Sequence, residues 1–389
     1  MIDRDELAAW LRLVETPGVG RESARRLLAE FGSPEAVLGA SSEARKAIVG
    51  APGATALRNE PPGFAERLAA TLAWLDGSSA SDAAPRDVLV LGDPRYPEAL
   101  LQTADPPTLL YTKGRIELLA ADSIAIVGSR NPTAQGLENA RAFAAHLSRA
   151  GLVIVSGLAL GIDGAAHQGA LDGMATEGAE REGGNGAGAG GTIAVVGTGL
   201  DRVYPARHRA LAHRIAASGL IVSEFAIGMP ALPENFPIRN RIIAGLARGT
   251  LVVEAALQTG SLITARLAAE SGRDVFAIPG SIHSPQARGC HALLKQGARL
   301  VDSAADILED FAAARPGSPG QARAATPAGA AAKEDPLLAA LGFDPIGLDA
   351  LVARTGQSAA DLATRLLDLE LAGRVARMPG QVFQRIERG

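Results

Sequence analysis

IAIVGSRNPTAQGLENARAFAAHLSRAGLVIVSG, residues 124–157, decides the fold of this chain. Two apolar runs, at 124–127 and 152–157, flank a longer stretch with the character of a helix. Because hydrophobicity in both runs is continuous rather than alternating, each run predicts a strand that is covered on both faces. Two such strands joined by a helix predict a parallel βαβ unit.

The same alternation of apolar runs and helical stretches continues to about residue 302. The later runs are TIAVVG (192–197), LIVSEF (220–225), TLVVEA (250–255), DVFAIPG (274–280) and ARLVD (298–302). We therefore expect an α/β domain over 86–311, built on an extended Rossmann-like, doubly wound parallel sheet. VLVL (88–91) and TLLY (108–111) bracket a proline-punctuated segment that leads into it.

The region before the sheet, 1–85, has a helical period and predicts a small helical domain that resembles a SAM or helix-hairpin-helix module. In PGVGRESARRLL, 17–28, backbone N–H groups of Gly18 to Gly20 would meet a phosphate, with charge added by Arg21, Arg25 and Arg26. A helical domain with a tight turn between two helices explains the same residues. Both interpretations stay open.

The region after the sheet predicts a separate module. A helix, a glycine turn, a second helix with Ser358 as N-cap and a β-hairpin, over 336–389, is the order of a winged helix. Asp361, Asp368 and Glu370 balance Arg365 in the second helix, so partner docking stays open beside DNA recognition. Glycine- and alanine-rich composition predicts a disordered insertion at about 176–191 and a flexible linker at 312–335.

Bulk composition gives no sign of nucleic-acid binding. Lys and Arg total 38 against 42 Asp and Glu, for a net charge of −4, so any anion site must be a local concentration of cations. A single cysteine, Cys290, excludes an internal disulfide, and the histidines lack zinc-site spacing, so we expect no metal. Without a long apolar stretch, we expect a soluble cytoplasmic protein that does not span a membrane.

The loops after the strands hold the candidate binding residues, because ligands of open parallel sheets bind beyond the carboxyl ends of the strands. After IAIV, Gly128 allows a sharp turn, Ser129 precedes a helix, and Arg130 offers a fork of donors suited to phosphate. After LIVSEF, the segment NFPIRNRIIAGLA, 235–247, places Arg239 and Arg241 at the start of an apolar helix.

Three polar residues beside these loops have expected structural roles. Glu254, at the end of its strand, is expected to hold Arg239 or Arg241 by a bidentate pair. For one of the two arginines, a structural pair with Glu224 or Glu254 in place of phosphate binding stays open. Asp163 is expected to cap its helix. His167, one turn further on, is expected to be packed or hydrogen-bonded, with a proton shuttle as the alternative.

Catalytic signatures are missing from the same loops. The chain contains no Gly-x4-Gly-Lys-Ser/Thr motif, so it has no Walker A loop. GTGLDR, 197–202, has Arg where a dinucleotide-binding fingerprint needs its third glycine. Fixed cations with few candidate bases favour binding over chemistry, so we expect neither an enzyme nor a cofactor.

Eight motifs occur in one order over 124–280 and together resemble the DNA-processing protein A (DprA/Smf) family. They are GSRNPTAQG, SGLALGIDGAAH, GTGLDRVYP, SEF, NFPIRNRIIAGLA, LVVEA, TGSLITA and GRDVFAIPG. The resemblance implies a protein that binds single-stranded DNA without sequence specificity and forms homodimers. It also implies that the protein loads RecA recombinase onto DNA imported in natural transformation.

The resemblance further implies a phosphate-binding pocket. Its residues here are Gly128, Ser129, Arg130, Ser156, Gly157, Arg239, Asn240 and Arg241, with Gly260, Ser261 and Thr264 at the rim. Some relatives carry Lys where this chain has Leu160, so Arg207 or Arg209 is the candidate for that charge. Stacking of a base on Phe236 or Tyr204 would add affinity of ~1 to 3 kcal/mol.

Two other functions stay open. A nucleotide-processing enzyme resembling the phosphoribohydrolases would share the fold, but IPGSIHSPQARG lacks the second glycine and the helical glutamate of their PGG-x-GT-x-x-E signature. A transcription regulator would act through the winged helix, and that module alone supports it.

Overall fold

The computed structural model describes residues 2–77, 84–175, 190–313, 335–343, 345–378 and 380–386. The insertion expected at about 176–191 and the linker expected at 312–335 fall almost wholly outside these ranges.

The N-terminal region is helical, as predicted. Its helices are α1 (Arg4–Glu15), α2 (Arg21–Phe31), α3 (Pro34–Gly39), α4 (Ser42–Ala56) and α5 (Phe64–Asp76). Buried side chains of α1 and α5, among them Trp10 and Trp74, pack in one cluster with Val88 and Tyr111 of the sheet domain. The helical domain therefore shares a core with the sheet.

A nine-stranded sheet forms the centre of the molecule. Its strands are β1 (Arg86–Val90), β2 (Leu109–Gly114), β3 (Ser123–Val127), β4 (Val153–Ser156), β5 (Gly191–Val195), β6 (Leu220–Ser223), β7 (Gly249–Val252), β8 (Asp274–Ala277) and β9 (Arg299–Leu300). Their order is β1-β2-β6-β5-β4-β3-β7-β8-β9. Strands β3 to β9 are parallel, which confirms the α/β class. The segments that lead into the domain, β1 and β2, extend this sheet in the antiparallel direction.

Helices cover both faces of the sheet. They are α6 (Glu98–Leu101), α7 (Ala134–Arg149), α8 (Ile162–Ala175), α9 (Arg209–Ser218), α10 (Asn235–Leu246), α11 (Gly260–Glu270), α12 (Arg288–Lys295) and α13 (Ala304–Ala313). In β3, Ile124 and Ile126 join the cluster under α7, α8 and α13, whereas Ala125 and Val127 join the cluster under α10 to α12. Successive residues of a strand face opposite sides, which explains why its sequence is continuously apolar.

The strand order reverses between β3 and β7. From β3 the chain builds β4, β5 and β6 to one side, and it then returns to build β7, β8 and β9 on the other. The loops after β3 and β7 consequently diverge and leave a crevice at the carboxyl edge of the sheet. This is the usual position of a ligand in a doubly wound sheet.

The C-terminal module has the predicted winged-helix order. It comprises α14 (Pro336–Leu341), β10 (Ile346–Gly347), α15 (Leu348–Thr355), α16 (Ala359–Leu371), β11 (Val375–Met378) and β12 (Val382–Arg385). Ser358 caps α16 by accepting a hydrogen bond from the Asp361 N–H at 3.2 Å. The three strands pair in the order β10-β12-β11.

Two further findings concern membranes and metals. Within the described ranges, none of the helices combines the length and the apolar character needed to cross a bilayer. Among the same residues, no cluster of His, Cys, Asp and Glu has the geometry to hold a metal ion. Cys290 is a buried free thiol, and burial raises its pKa to about 12.

Candidate functional site

A crevice of about 650 Å³ opens at the switch point between β3 and β7. Its walls come from the loops after these strands and from the first turns of α10 and α11. Nine of the predicted site residues line it: Gly128, Ser129, Arg130, Phe236, Arg239, Asn240, Gly260, Ser261 and Thr264. Residues from three separate stretches of sequence thus meet at one edge of the sheet.

The turn after β3 depends on Gly128. A Cβ atom there would lie 2.6 Å from Ile162 Cγ1 and 2.9 Å from the Glu254 carbonyl oxygen, so only glycine fits between them. The Ser129 N–H donates to that carbonyl at 2.7 Å, and the Ser129 Oγ accepts from the Asn131 N–H at 3.1 Å. Both groups are thus engaged within the protein.

Side chains of the protein itself also occupy the N-terminus of α7. Thr133 caps it by accepting from the Gly136 N–H at 3.0 Å. The Glu254 carboxylate accepts from the Thr133 N–H at 2.9 Å and from its hydroxyl at 2.5 Å. The expectation that Glu254 holds Arg239 or Arg241 was therefore wrong. Its side chain binds Thr133 at the N-terminus of α7, where a carboxylate is favoured.

The N-terminus of α11, in contrast, is open toward the crevice. Its N-cap residue, Thr259, makes no side-chain capping bond. The Thr259 hydroxyl instead donates to the Ala256 carbonyl oxygen at 3.0 Å and lies 2.9 Å from Ser261 Oγ. The first N–H groups of an uncapped helix attract an anion, so α11 is the better anion site of the two helices.

Arg239 is buried in the wall of the crevice, with only 4% of its surface exposed. It donates to the Gly157 carbonyl oxygen at 2.6 Å, to the Val195 carbonyl oxygen, and to Asn240 Oδ1 at 3.0 Å. Burial lowers the pKa of Arg239 to about 10, so it stays protonated at neutral pH. Arg239 thus supplies fixed positive charge while it holds two strand-end loops together.

Two asparagines of α10 complete this arrangement. Asn235 Nδ2 donates to the Gly197 carbonyl oxygen at 3.0 Å, and Asn240 Nδ2 donates to the Gly260 carbonyl oxygen at 3.3 Å. Together with Arg239, they connect α10 to the loops after β4, β5 and β7. The first two turns of α10 therefore determine the shape of the crevice.

Arg130 lies at the mouth of the crevice and is exposed. Its guanidinium carbon lies 5.8 Å from the centre of the Phe236 ring, within range of a cation–π contact. The Phe236 ring lies 5.4 Å from that of Tyr204, at an interplanar angle of 37°. Arg130, Phe236 and Tyr204, hereafter the stacking platform, combine a cation with two aromatic faces.

The other predicted residues do not line the crevice. The Ser156 hydroxyl is buried and donates to the Ile126 carbonyl oxygen at 2.6 Å, and Gly157 lies behind Arg239. Arg241 lies on the far side of α10, where its guanidinium contacts Asp105 at 2.7 Å and Glu224 at 2.6 Å. This placement does not fit the phosphate-binding role expected for Arg241, whereas it fits the alternative, a pair with Glu224.

Arg207 and Arg209 do not line the crevice. Both are exposed and follow Tyr204, which lines the crevice, by three and five residues. Neither forms an ion pair with the described part of the chain. Both therefore carry exposed charges close in sequence to Tyr204.

Asp163 and His167 have structural roles. Asp163 lies inside the first turn of α8, and its carboxylate accepts from the N–H groups of Gly157 and Ala159 at 3.1 and 3.3 Å. Asp163 therefore binds the loop that precedes α8. The expectation that it caps its own helix was wrong. Burial raises the pKa of Asp163, and Arg239 opposes that effect.

His167 is a packed, hydrogen-bonded residue, which confirms the prediction made for it. Its Nε2 accepts from the Leu158 N–H at 3.3 Å, and its Nδ1 lies 2.6 Å from Thr192 Oγ1. The Thr192 hydroxyl donates to the Ile154 carbonyl oxygen, so Nδ1 carries the proton of a neutral ring. Burial lowers the pKa of His167 to about 3.

Sequence reasoning missed Gln286 as a lining residue. It follows β8, and its Nε2 donates to the Asn131 carbonyl oxygen at 3.2 Å, which joins the β8 loop to the β3 loop. The rule that strand ends hold ligands applies to β8 as much as to β3, so the signal was present.

Comparison with known proteins gives matches along most of the chain. Residues 87–312 match the family described as DNA recombination-mediator protein A. Residues 4–48 match the DprA-like N-terminal HHH domain, and residues 321–381 match the DprA winged helix domain. Protein Smf of Escherichia coli strain K12 is 40% identical over 319 residues, which cover 80% of this chain and 79% of that protein.

Two solved structures are similar in fold and sequence. DNA processing protein A (DprA) from Streptococcus pneumoniae superposes with a TM-score of 0.63 at 35% identity, covering 79% of this chain and 97% of that one. DNA processing protein A from Helicobacter pylori, solved in a study of its single-stranded DNA binding mode, gives a TM-score of 0.50 at 28% identity. That match covers 58% of this chain and 95% of the other.

Proposed function

The chain belongs to the DNA recombination-mediator protein A family, and on that premise we propose that its crevice binds single-stranded DNA without base specificity. One observation supports this proposal above the others. An exposed Arg130 lies over the Phe236 ring at the mouth of a crevice that the open N-terminus of α11 also lines. Such a site offers donors to phosphate and ring faces to bases.

The chemistry of the platform favours a single strand over a duplex. Aromatic faces accept any unstacked base, and bases in a duplex are already stacked on each other. The donors at the crevice, which are the Arg130 guanidinium and the first N–H groups of α11, suit phosphate oxygens and carry no base code. Arg207 and Arg209, which are exposed and close in sequence to Tyr204, add positive charge for a strand that leaves the crevice over Tyr204.

The test is a pair of anisotropy titrations with labelled oligo-dT and with a duplex of equal length, over a range of salt concentrations. We expect tighter binding of the single strand, with affinity that falls steeply as salt rises. Equal affinity for the two DNAs, or affinity for the single strand that salt leaves unchanged, would overturn the proposal.

We also propose that the site binds DNA without cleaving it. Asp163, which lines the crevice, accepts two backbone N–H groups, and His167, one helical turn further along α8, is buried and neutral. Neither is free to act as a general base, which must reach the proton that it removes. A screen for nuclease and nucleotide-hydrolase turnover is expected to be negative, and turnover lost in Arg130→Ala would contradict the proposal.

Homodimer formation and RecA loading complete the proposed function. An apolar groove between α11 and α12, lined by Leu257, Leu262 and Leu293, supports the dimer, since Leu257 is 57% exposed. Light scattering is expected to give twice the chain mass, and Leu257→Glu is expected to give the monomer. The DNA-dependent ATPase of RecA on a coated single strand is expected to rise when the protein is added. A wild-type monomer, or an ATPase that stays the same, would contradict these two parts.

A further inference from the structure

Three arginines from two domains converge on one carboxylate, that of Asp105. Arg21 and Arg25, both on α2, donate to it at 3.0 and 2.6 Å. Arg241, on α10, donates to it at 2.7 Å. Asp105 therefore joins the N-terminal helical domain directly to the helix that shapes the crevice.

The segment that carries Asp105 is held rigidly. Pro106 and Pro107 follow it, and the Tyr96 hydroxyl donates to the Pro107 carbonyl oxygen at 2.6 Å. Arg25 adds a bond to the Pro106 carbonyl oxygen at 3.0 Å. Burial raises the pKa of Asp105, but hydrogen bonds from Arg241 and Arg25 prevail and bring it to about 2. The carboxylate is thus charged and fixed in place at neutral pH.

Helix α10 rests on this same segment at a second point. A Cβ atom on Gly245 would lie 2.7 Å from Thr103 Cγ2 and 3.0 Å from Leu100 Cδ2, so the helix backbone packs directly against residues 100–103. Arg241 also donates to Glu224 at 2.6 Å, and its side chain is only 13% exposed. The face of α10 turned away from the crevice is therefore fixed at two points about one turn apart.

The opposite face of α10 holds the crevice together. Residues two apart on a helix differ by about 200° in direction, so Arg239 and Arg241 point to opposite sides. Arg239 and Asn240 reach the carbonyl groups of the strand-end loops, as described above. A shift of α10 would consequently change the position of Phe236 and of the loops that it connects.

We propose that Asp105 is a positioning residue, through which the N-terminal domain holds α10 and the crevice in the geometry that binds DNA. This inference rests on the proposed single-stranded DNA binding. Asp105 itself touches no DNA in this account, and neither do Arg21 and Arg25. Loss of the Asp105 carboxylate weakens DNA binding by releasing α10.

The decisive variant is Asp105→Asn in the 389-residue chain, because two explanations predict opposite changes in its affinity for DNA. Removing a negative charge beside three arginines strengthens DNA binding if only long-range electrostatics matter. Positioning predicts weaker binding instead, by roughly three- to tenfold. The slope of log affinity against log salt stays at the wild-type value, because the number of phosphate contacts is the same.

Asp172→Asn is the matched control. Asp172 also accepts from two arginines, Arg141 at 2.6 Å and Arg214 at 3.5 Å, but it lies on α8 and does not contact α10. This variant frees arginines in the same way, and we expect its affinity to equal that of the wild type or to exceed it slightly.

Two further measurements separate positioning from a general loss of stability. In Asp105→Asn, hydrogen exchange is expected to rise in 235–246 and to stay unchanged in α7 and α8, whereas general destabilisation raises it throughout. Asp105→Glu, which keeps the charge, is expected to recover most of the affinity. The double variant Arg21→Ala, Arg25→Ala is an independent test. It is expected to lose DNA affinity as Asp105→Asn does, again without a change in salt slope.

The outcomes are distinguishable from failure of the proposed function. If the wild type does not bind oligo-dT, the proposed function fails. If the wild type binds and Asp105→Asn binds as well or better, the positioning role is wrong. If the double arginine variant loses affinity together with a shallower salt slope, those arginines contact DNA directly, which also overturns the inference.

Discussion

Arg239 and Arg241, two residues apart on α10, face opposite sides of the helix and bind different partners. Arg239 donates to the backbone carbonyl groups of Gly157 and Val195 in the wall of the crevice. Arg241 donates to carboxylates on the other side, with 13% of its side chain exposed. The two arginines that flank Asn240 thus have different roles. Arg239 holds the wall of the crevice, and Arg241 holds α10 in position.

Arg130→Ala should weaken binding of single-stranded DNA about tenfold, because it removes the exposed cation of the stacking platform. The slope of log affinity against log salt should become shallower by ~0.7, the value for one phosphate contact on a single strand. Anisotropy titration measures both quantities. Arg141→Ala, an exposed arginine on α7 paired with Asp172, is the control and should match the wild type.

Phe236→Ala should weaken binding by ~1 to 3 kcal/mol without a change in salt slope, since stacking releases no counterions. The same titrations test this. Phe343→Ala is the control, because Phe343 is an exposed aromatic residue of the C-terminal module and lies outside the crevice. A change in slope for Phe236→Ala, or equal losses in the two variants, would contradict the assignment of Phe236.

Arg239→Met should lower the free energy of unfolding by about 3 kcal/mol, because it leaves the buried carbonyl groups of Gly157 and Val195 without their donor. Circular dichroism with increasing denaturant measures this. Arg209→Met replaces an exposed arginine and should leave stability unchanged. If Arg239→Met is as stable as the wild type, Arg239 is not the structural link described here.

Acid should destabilise the fold through His167. Burial lowers its pKa to about 3 in the folded state, whereas in the unfolded chain it is near 6.5. Below pH ~6.5 the unfolded chain therefore binds a proton that the folded chain excludes, and this contribution to stability falls by ~1.4 kcal/mol per pH unit. Above pH ~6.5 the contribution is constant.

His167→Gln removes this titration, so its stability relative to the wild type should improve steadily between about pH 6 and pH 4. Denaturant unfolding of both proteins at several pH values measures the difference. A difference that does not change with pH over that range would show that His167 is not neutral and buried in the folded protein.

The fold could be predicted from sequence because the patterns that determine it are local. Continuous apolar runs and the helices between them predicted β3 to β9, and Ser358 predicted the start of α16. The antiparallel pairing of β1 and β2 could not be predicted, because nothing in VLVL or TLLY specifies which neighbour they join.

The site was predicted less completely, because side-chain direction depends on contacts distant in sequence. Glu254 and Arg241 both lie at strand-end or helix-start positions, but their partners, Thr133 and Asp105, are 121 and 136 residues away. The motif therefore predicted that these residues lie near the crevice. It could not show that other side chains of the same protein already occupy their hydrogen-bonding groups. Arg130 and Phe236, which have fewer partners within the protein, do line the crevice.

Photocrosslinking tests the central claim most directly. Oligo-dT that contains a photoreactive thymidine is bound to the full chain and irradiated, and the modified peptides are identified by mass spectrometry. We predict crosslinks at Tyr204 and Phe236, with loss of the Phe236 crosslink in Arg130→Ala. Crosslinks confined to residues 336–386, with none at Tyr204 or Phe236, would contradict the account and assign DNA binding to the C-terminal module.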